Sequence, residues 1–405
     1  MGFQQGLSGL NAAAKNLDVI GNNVANANTV GFKGSQALFA DVFANSIGGS
    51  GGTGAGIGVS VSGVQAAFTQ GNITTTNSPL DIAINGDGFF RLDTNGSITW
   101  SRNGQFHLDK DGYIINPTGD KLTGYTVNSL GQIVPSNPGP LQISTANFPP
   151  QATAKSEMVL NLDSREPVIA IPFNINDSTT YNKASSMTVY DSLGNPHALG
   201  TYYVKSAAGT WTVQGAIDGT ALAPALGTLT FGATGAIASP PTALPFNVSV
   251  PLTNGATTPF AFTLDFTGTT QYGSGFGVNT LKQDGYTSGR LSGFGVGSDG
   301  TVTGRYTNGQ SRTLGQLVLG SFPNPNGLQP LGNNLWGDTS TSGEATLGSP
   351  GSGNIGVVQS GAVEESNVDL TKELVNMITA QRVYQANAQT IKTQDQILST
   401  LVNLR

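Results

Sequence analysis

Six aspartates stand where a β-rich chain could use them for acid–base chemistry: Asp81, Asp87, Asp109, Asp111, Asp191 and Asp265. The reaction they would serve is glycan hydrolysis, which needs two carboxylates flanking the scissile bond. No spacing in the sequence pairs any two of them, and each is explained as a turn residue or a strand-edge charge. His107 and His197 are the only histidines of the 405 residues. Neither belongs to a Ser-His-Asp or a His-x-x-x-His pattern, so neither a nucleophile's base nor a metal pair is written there. Asp109 and Asp111 before Gly112 hint at a calcium loop, but an EF-hand wants an acid where His107 stands and a glutamate where Thr118 stands. A hairpin turn accounts for them better. The chain has no cysteine, which excludes disulfides, thiolate metal sites and cysteine nucleophiles. No Gly-x-x-x-x-Gly-Lys phosphate loop occurs, and "GFGVG" (293–297) is too short and too common to mean a dinucleotide site. We therefore expect no catalytic, cofactor-binding or metal-binding residue.

The bulk composition points the same way. Charged residues are 10% of the chain, against about 25% in an ordinary soluble domain. Glycine accounts for 56 residues and hydrophobic residues for 37%. Low charge with abundant Gly, Thr, Ser and Asn suits turn-rich β-structure rather than a solvated disordered chain. The net charge of −6 comes with scattered Lys and Arg, so no nucleic-acid ligand is expected. The opening stretch lacks the basic and continuous apolar regions of a Sec signal. No run reaches the roughly 18 apolar residues of a membrane helix. Gly6 stands where a myristoylation pattern wants Ser or Thr.

Between the ends the hydrophobic period is two. It begins near residue 59, after a Gly-rich flexible loop at 45–58, and predicts short strands. "SPLDIAINGDGFFRLD" gives two strands around Asn85-Gly86-Asp87-Gly88. Further turns are expected at Asn103-Gly104, Asp111-Gly112, Asp299-Gly300 and Asn308-Gly309. "SMTVYDSLGNPHALGTYYVK" reads as a hairpin with Asp191–His197 as its loop, and "PFAFTLDFTG" as an alternating strand. A Pro-rich passage at 134–150 reads as a boundary. Residues 285–360 return to the style of the first β-region, as a β-domain split by an inserted one would.

Both ends are helical. Residues 3–27 carry an apolar seam, Leu10, Leu17 and Val24, with Leu7, Ala14 and Gly21 as the companion row. The small residues of that row allow another helix close, although a short helix on a globular core would look similar. "NNVANANTVGFK" then ends the helix, because Asn competes for backbone hydrogen bonds and tolerates left-handed turns. The last forty residues contain neither Gly nor Pro. Ser366 and Asp369 are spaced as a capping box. Leu370, Met377, Tyr384, Ile391 and Leu398 recur every seven residues, beside a partly polar row, Leu374, Gln381, Ala388, Asp395 and Val402. A helix over 369–402 would run about 50 Å. Isolated helices rarely offset their ordering entropy, so these two want each other and further copies. Repeated head-to-tail contacts that do not close grow a tube or filament.

"SGLNAAAKNLDVIGNNVANANTVGFK", "NSPLDIAINGDGFF" (77–90) and "NVDLTKELVNMITAQRVYQANAQTIKTQDQIL" resemble signatures of the flagellar axial proteins of rod and hook. "TVYDSLGNPHALGTYYVK" (188–205) and "DGYTSGRLSGFGVGSDGTVTGRYTNGQ" (284–310) are similar to the hook type, whereas the shorter rod proteins lack the middle domain. The match covers essentially the whole chain. The resemblance implies a multidomain, mainly β protein with terminal helices forming a coiled-coil-like inner domain. Its parts would be an inner-tube domain (1–27 and 367–405), a linking segment (28–71), a split β-domain (72–148 and 285–366) and an inserted outer β-domain (149–284). It implies a structural subunit of a curved extracellular tube that passes motor torque round a bend. Its partners would be copies of itself, the rod, a hook cap, junction proteins and the flagellar type III export apparatus. Alternatives are a distal rod protein or, from other classes, a glycan-acting enzyme or an adhesin. The expected assembly contacts are the seams (Leu7, Leu10, Leu17, Val24; Leu370, Leu374, Met377, Tyr384, Ile391, Leu398), the elbow (Asn22, Asn23, Asn26, Asn28, Gly31, Phe32) and the strand region Leu80, Ile82, Ile84, Phe89 and Phe90.

Overall fold

The computed structural model describes residues 2–42, 56, 58–128, 131–238 and 244–403. All but residues 56 and 58 of the expected Gly-rich loop lie outside them. Helix α1 spans Gly2–Ala25 and helix α2 spans Leu370–Asn403, close to the two expected helices. Between them the described chain is β-strand and turn apart from two single-turn 3-10 helices. The protein is therefore mainly β with a helix at each end. It divides into two compact units, 1–144 with 293–304 and 311–405, and 145–292 with 305–310.

In the first unit, strands β1 (Ser35–Val42) and β2 (Gly58–Ala66) form an antiparallel ribbon of their own. The next strands are β3 (Ile73–Thr75), β4 (Ile82–Asn85), β5 (Phe89–Thr94), β6 (Ser97–Ser101), β7 (His107–Leu108), β8 (Ile114–Ile115) and β9 (Lys121–Tyr125). The main sheet runs Ser311–Leu317, β9, β5, β6, Leu335–Gly337, Gln329–Gly332. The expected turn at Asn85–Gly88 bends the chain but joins no hairpin. β4 pairs with Val357–Ser360, and β5 pairs with β6, β9 and Leu319–Ser321. The hairpin lies one strand later: β5 and β6 meet through Asn95-Gly96, both at positive φ (53° and 92°), as a two-residue loop matching strand twist requires. Asp93 Oδ1 accepts the Gly96 N–H at 2.6 Å and fixes that loop. Asn103-Gly104 likewise closes no hairpin, since β6 continues onto Leu335–Gly337. Asp111-Gly112 does join β7 to β8.

The second unit is a two-sheet sandwich. One sheet runs Phe246–Val250, Phe260–Asp265, Lys155–Asn161, Gly277–Gln283. The other runs Lys183–Tyr190, Pro196–Ala207, Thr210–Ile217, Thr220–Ala221, with Gly227–Thr230 also on Thr210–Ile217. The expected hairpin at 186–205 is present, but its loop is 191–195, since Pro196 and His197 already pair with Tyr190 and Val189. Phe260–Asp265 buries Phe260, Phe262 and Leu264 alternately, as its sequence predicts. These rings pack with Met158, Leu160, Tyr203, Trp211 and Phe266 between the sheets.

Candidate assembly site at the chain termini

α1 meets α2 along a face that the heptad pattern does not mark. A Cβ placed on Gly6 would lie 3.1 Å from Ile391, and one on Gly9 would lie 2.8 Å from the Asn387 amide. Ala12, Ala13, Val19 and Ile20 are buried beside them. Gly21, expected to admit the neighbouring helix, has nothing within 4 Å of its Cβ position. Leu7 is exposed, and Leu10, Leu17 and Val24 are half-buried. The reason is geometric: the closest approach goes to residues without side chains, leaving the Leu row on another face. On α2, Met377 and Ile391 are half-buried, whereas Leu370, Leu374, Tyr384 and Leu398 are exposed.

The α2 start also differs from expectation. Asp369 itself caps the helix, its Oδ1 accepting the Thr371 and Lys372 N–H groups at 2.9 and 3.1 Å. Ser366 Oγ accepts only the Val368 N–H, at 3.2 Å, so the capping-box spacing is one turn early.

The elbow is a hydrogen-bonded corner. Asn26 N–H donates to the Asn22 and Asn23 carbonyls, and the Thr29 N–H to Asn26 O, ending α1 in successive turns. Asn23 is buried, and its amide both donates to and accepts from the Ser35 backbone at 2.8 Å. Gly31 adopts φ +71°, and a Cβ there would fall 2.6 Å from the Asn103 N. Its N–H donates to Glu364 O at 2.7 Å. Phe32 is half-buried; Asn22 and Asn28 remain exposed.

Next to the elbow lies a charged cluster that the sequence did not reveal. Lys33 Nζ sits 2.7 Å from Glu364 Oε1, and Arg102 Nε lies 3.3 Å from Glu364 Oε2, all three side chains being almost wholly buried. Lys33 also donates to Thr69 O, and Glu364 Oε1 accepts the Gly71 N–H. Burial, reinforced by the Arg102 charge, lowers the Lys33 pKa, while Glu364 opposes the fall. Burial lowers that of Arg102 too, against Glu364 and Asp87. Asn367 completes the clamp, accepting the Gly34 N–H and donating to Ala67 O and Thr69 O. Residues 33–34, residues 67–71, Arg102 and the root of α2 are thus tied in one place. Lys33 was in view in "VGFK"; its partner 331 residues away was not.

α1, α2 and the β1–β2 ribbon enclose a groove of about 900 Å³, lined by Ala13, Ile20, Phe39, Val59, Ala380 and Val383 among others. Leu38, Phe39, Val61 and Val64 of the ribbon are exposed. Leu80, Ile82, Ile84, Phe89 and Phe90, expected as assembly contacts, are instead buried in the chain's own core. Their strands pair on both sides of the sequence, and Phe89 stacks edge-on with Phe68 and Phe322.

Four of the six candidate catalytic acids are occupied in local structure. Asp109 Oδ1 accepts the Asp111 and Tyr113 N–H groups within its hairpin. Asp265 binds the Thr267 N–H and hydroxyl, and Asp81 takes the Thr76 hydroxyl. Asp87, Asp111 and His107 are exposed. Asp191 departs from its reading as a simple turn residue: it is fully buried and faces His197, which also contacts Asp218. Among the described residues no helix is long and apolar enough to cross a membrane.

Four family models match the chain in order. They are described as flagella basal body rod protein (3–33), flagellar hook protein FlgE/F/G D1 domain (83–182), flagellar basal body protein FlaE D2 domain (161–286) and flagellar basal body rod FlgEFG protein C-terminal (359–404). The flagellar hook protein FlgE of Salmonella typhimurium is 47% identical, over all of both chains. That of Escherichia coli K12 is 46% identical, again over all of both. The crystal structure of Helicobacter pylori flagellar hook protein FlgE2 has a similar fold, with a TM-score of 0.51 at 12% identity, covering 72% of this chain and all of that one. With full-length identity of this order and four consecutive family matches, the chain belongs to the flagellar hook protein FlgE family and is a structural subunit of the bacterial flagellar hook.

Proposed function

We propose that the chain polymerises through its terminal helices and ribbon into a curved tube that acts as a universal joint, passing torque from rod to filament. The observation that carries this reading is the set of large apolar side chains left exposed on the terminal elements: Leu7 on α1, Leu38 and Val64 on the ribbon, and Leu374, Ile378 and Leu398 on α2. Large apolar side chains exposed on all three terminal elements favour burial against another chain, and a contact between different faces of identical chains extends without closing. The terminal helices form the inner tube, the 28–71 segment braces neighbours, and the split and inserted β-domains (72–148 with 285–366, and 149–284) form the outer shell. The tube stands outside the cell, its subunits delivered by the flagellar type III route. Rod, hook cap and hook–filament junction proteins are its partners. The role is mechanical and involves no catalysis, in keeping with carboxylates engaged in their own turns.

The test is electron microscopy with circular dichroism on the full chain and on Leu374→Glu/Ile378→Glu. Both residues are about half exposed in the chain (45% and 52%), so the exchange leaves the fold intact. The native chain is expected to form curved tubes and gain helix as it does so, and the variant to stay unpolymerised. Tubes formed equally well by the variant would overturn the reading.

A further inference from the structure

One end of the second unit's sandwich is built around His197. Three connections meet there: the 191–195 loop between Lys183–Tyr190 and Pro196–Ala207, the Asp218-Gly219 turn after Thr210–Ile217, and the 252–258 loop. His197 Nδ1 lies 2.7 Å from Asp218 Oδ2, and Nε2 lies 3.3 Å from Asp191 Oδ2. Asp191 is saturated with donors. Its Oδ1 accepts the Leu193 and Asn195 N–H groups at 2.9 Å, and its Oδ2 accepts the Asn195 and Asn254 side-chain amides at 2.9 and 2.7 Å. Asp218 Oδ1 accepts the Ala198 N–H at 2.8 Å. The Asp218-Gly219 pair holds positive φ (48° and 80°), so the turn geometry fixes that carboxylate against the ring.

A carboxylate accepting several N–H groups is ionised and can only accept. A neutral imidazole has one N–H, and it would leave a lone pair facing one of the two carboxylates. With both ring nitrogens aimed at carboxylate oxygen, the ring must donate twice, which only the imidazolium does. We propose that His197 is a proton-dependent clasp: as imidazolium it ties the 191–195 loop, through Asp191, to the 218–219 turn, and loss of its proton releases that end of the sandwich. The charged groups facing the ring are Asp191 from the loop and Asp218 from the turn. The strand Phe260–Asp265 offers the Phe260 ring, and the 252–258 loop the neutral Asn254.

Burial alone lowers the imidazole pKa, but the hydrogen bonds and charges of Asp218 and Asp191 together outweigh it and leave it raised. Burial would raise both carboxylates, yet their hydrogen bonds hold both below the usual range. The clasp's histidine contribution is therefore complete below the ~6.5 of an unfolded histidine and is lost as pH rises through the higher folded value. The carboxylate contributions are present above ~3.9 and are lost as pH falls through their lowered folded values. The clasp holds between those limits.

Long-range proton–nitrogen NMR of the full chain decides the matter, because only two histidines need assignment and His107→Gln identifies them. The expected result at about pH 6.5 is a doubly protonated His197 ring whose midpoint lies above ~6.5 and falls in Asp218→Asn. Amide exchange at Asn195 and Ala198, corrected for the intrinsic rate, should rise several-fold as pH passes that midpoint, and should lose this dependence in His197→Gln. A single neutral tautomer at about pH 6.5, or a midpoint at or below it in the native chain, would overturn the proposal, as would exchange at both amides that does not change across the midpoint.

Discussion

Glu364 is the residue on which the terminal corner depends. It is fully buried between Lys33 and Arg102, and its backbone carbonyl holds Gly31. Removing one member of a buried ion cluster leaves uncompensated charge. Glu364→Ala should therefore destabilise the chain by roughly 3–5 kcal/mol, read from urea unfolding. The combined Lys33→Met/Glu364→Met change should lose less than the sum of the two single changes, because it no longer strands the lysine, although Arg102 stays without its carboxylate. Strictly additive losses would refute the coupling. Gly31→Ala meets both a positive φ and the Asn103 backbone, and should lose roughly 1–3 kcal/mol; an unchanged urea midpoint would contradict it. The sequence disclosed the Gly and Asn character of this corner because turn chemistry is local. It could not disclose the ion cluster, since nothing local links residue 33 to residue 364 or shows that a lysine in a weakly charged chain is buried.

At the scale of elements, periodicity located both terminal helices within two residues, as well as the alternating strand at Phe260–Asp265. It did not tell which face of α1 would meet α2. A heptad of leucines and a row of Gly6, Gly9 and Ala13 are both compatible with helix packing, and backbone proximity decided for the row of small residues. Gly9→Val should accordingly part α1 from α2, lowering helical ellipticity without disturbing the β signal; preserved ellipticity would show that the pair tolerates a side chain there. Asp369→Ala should cost about 1 kcal/mol and fray the first turn of α2, whereas Ser366→Ala should leave that turn intact, which amide exchange at Thr371 and Lys372 can distinguish. Hairpins were misplaced for a related reason. Asn85-Gly86 and Asn103-Gly104 have the composition of a two-residue loop, but their flanking strands find partners far along the chain. Asn95-Gly96 and Asp111-Gly112, by contrast, have neighbours that pair with each other.

For the whole molecule, charge is sparse, at 10% of residues. A joint that bends while turning must keep its inner contacts while outer surfaces slide past one another. Surfaces rich in Thr and Ser lose little when polar contacts break and reform, because water replaces them readily. Adding complementary charged pairs on the exposed faces of 149–284 should therefore stiffen assembled hooks, as seen in their thermal bending fluctuations; unchanged bending would remove the argument. The mainly β fold with a helix at each end and the family resemblance were readable from the sequence. The strand region at Leu80–Phe90 was misjudged as contact surface because an apolar run reads alike whether it is covered by its own chain or by another.

The pairing of β3 with Ala362–Glu364 and of β4 with Val357–Ser360 carries a consequence for timing. Both strands lie within the first hundred residues, and their partners arrive nearly three hundred residues later. Closing so long a loop is slow. Whichever end is free to fold first, its strands stay unpaired until the other end joins them. The chain thus carries a built-in check on completeness: the first unit closes only when both of its distant halves are present, and a chain lacking either has no closed corner on which to build.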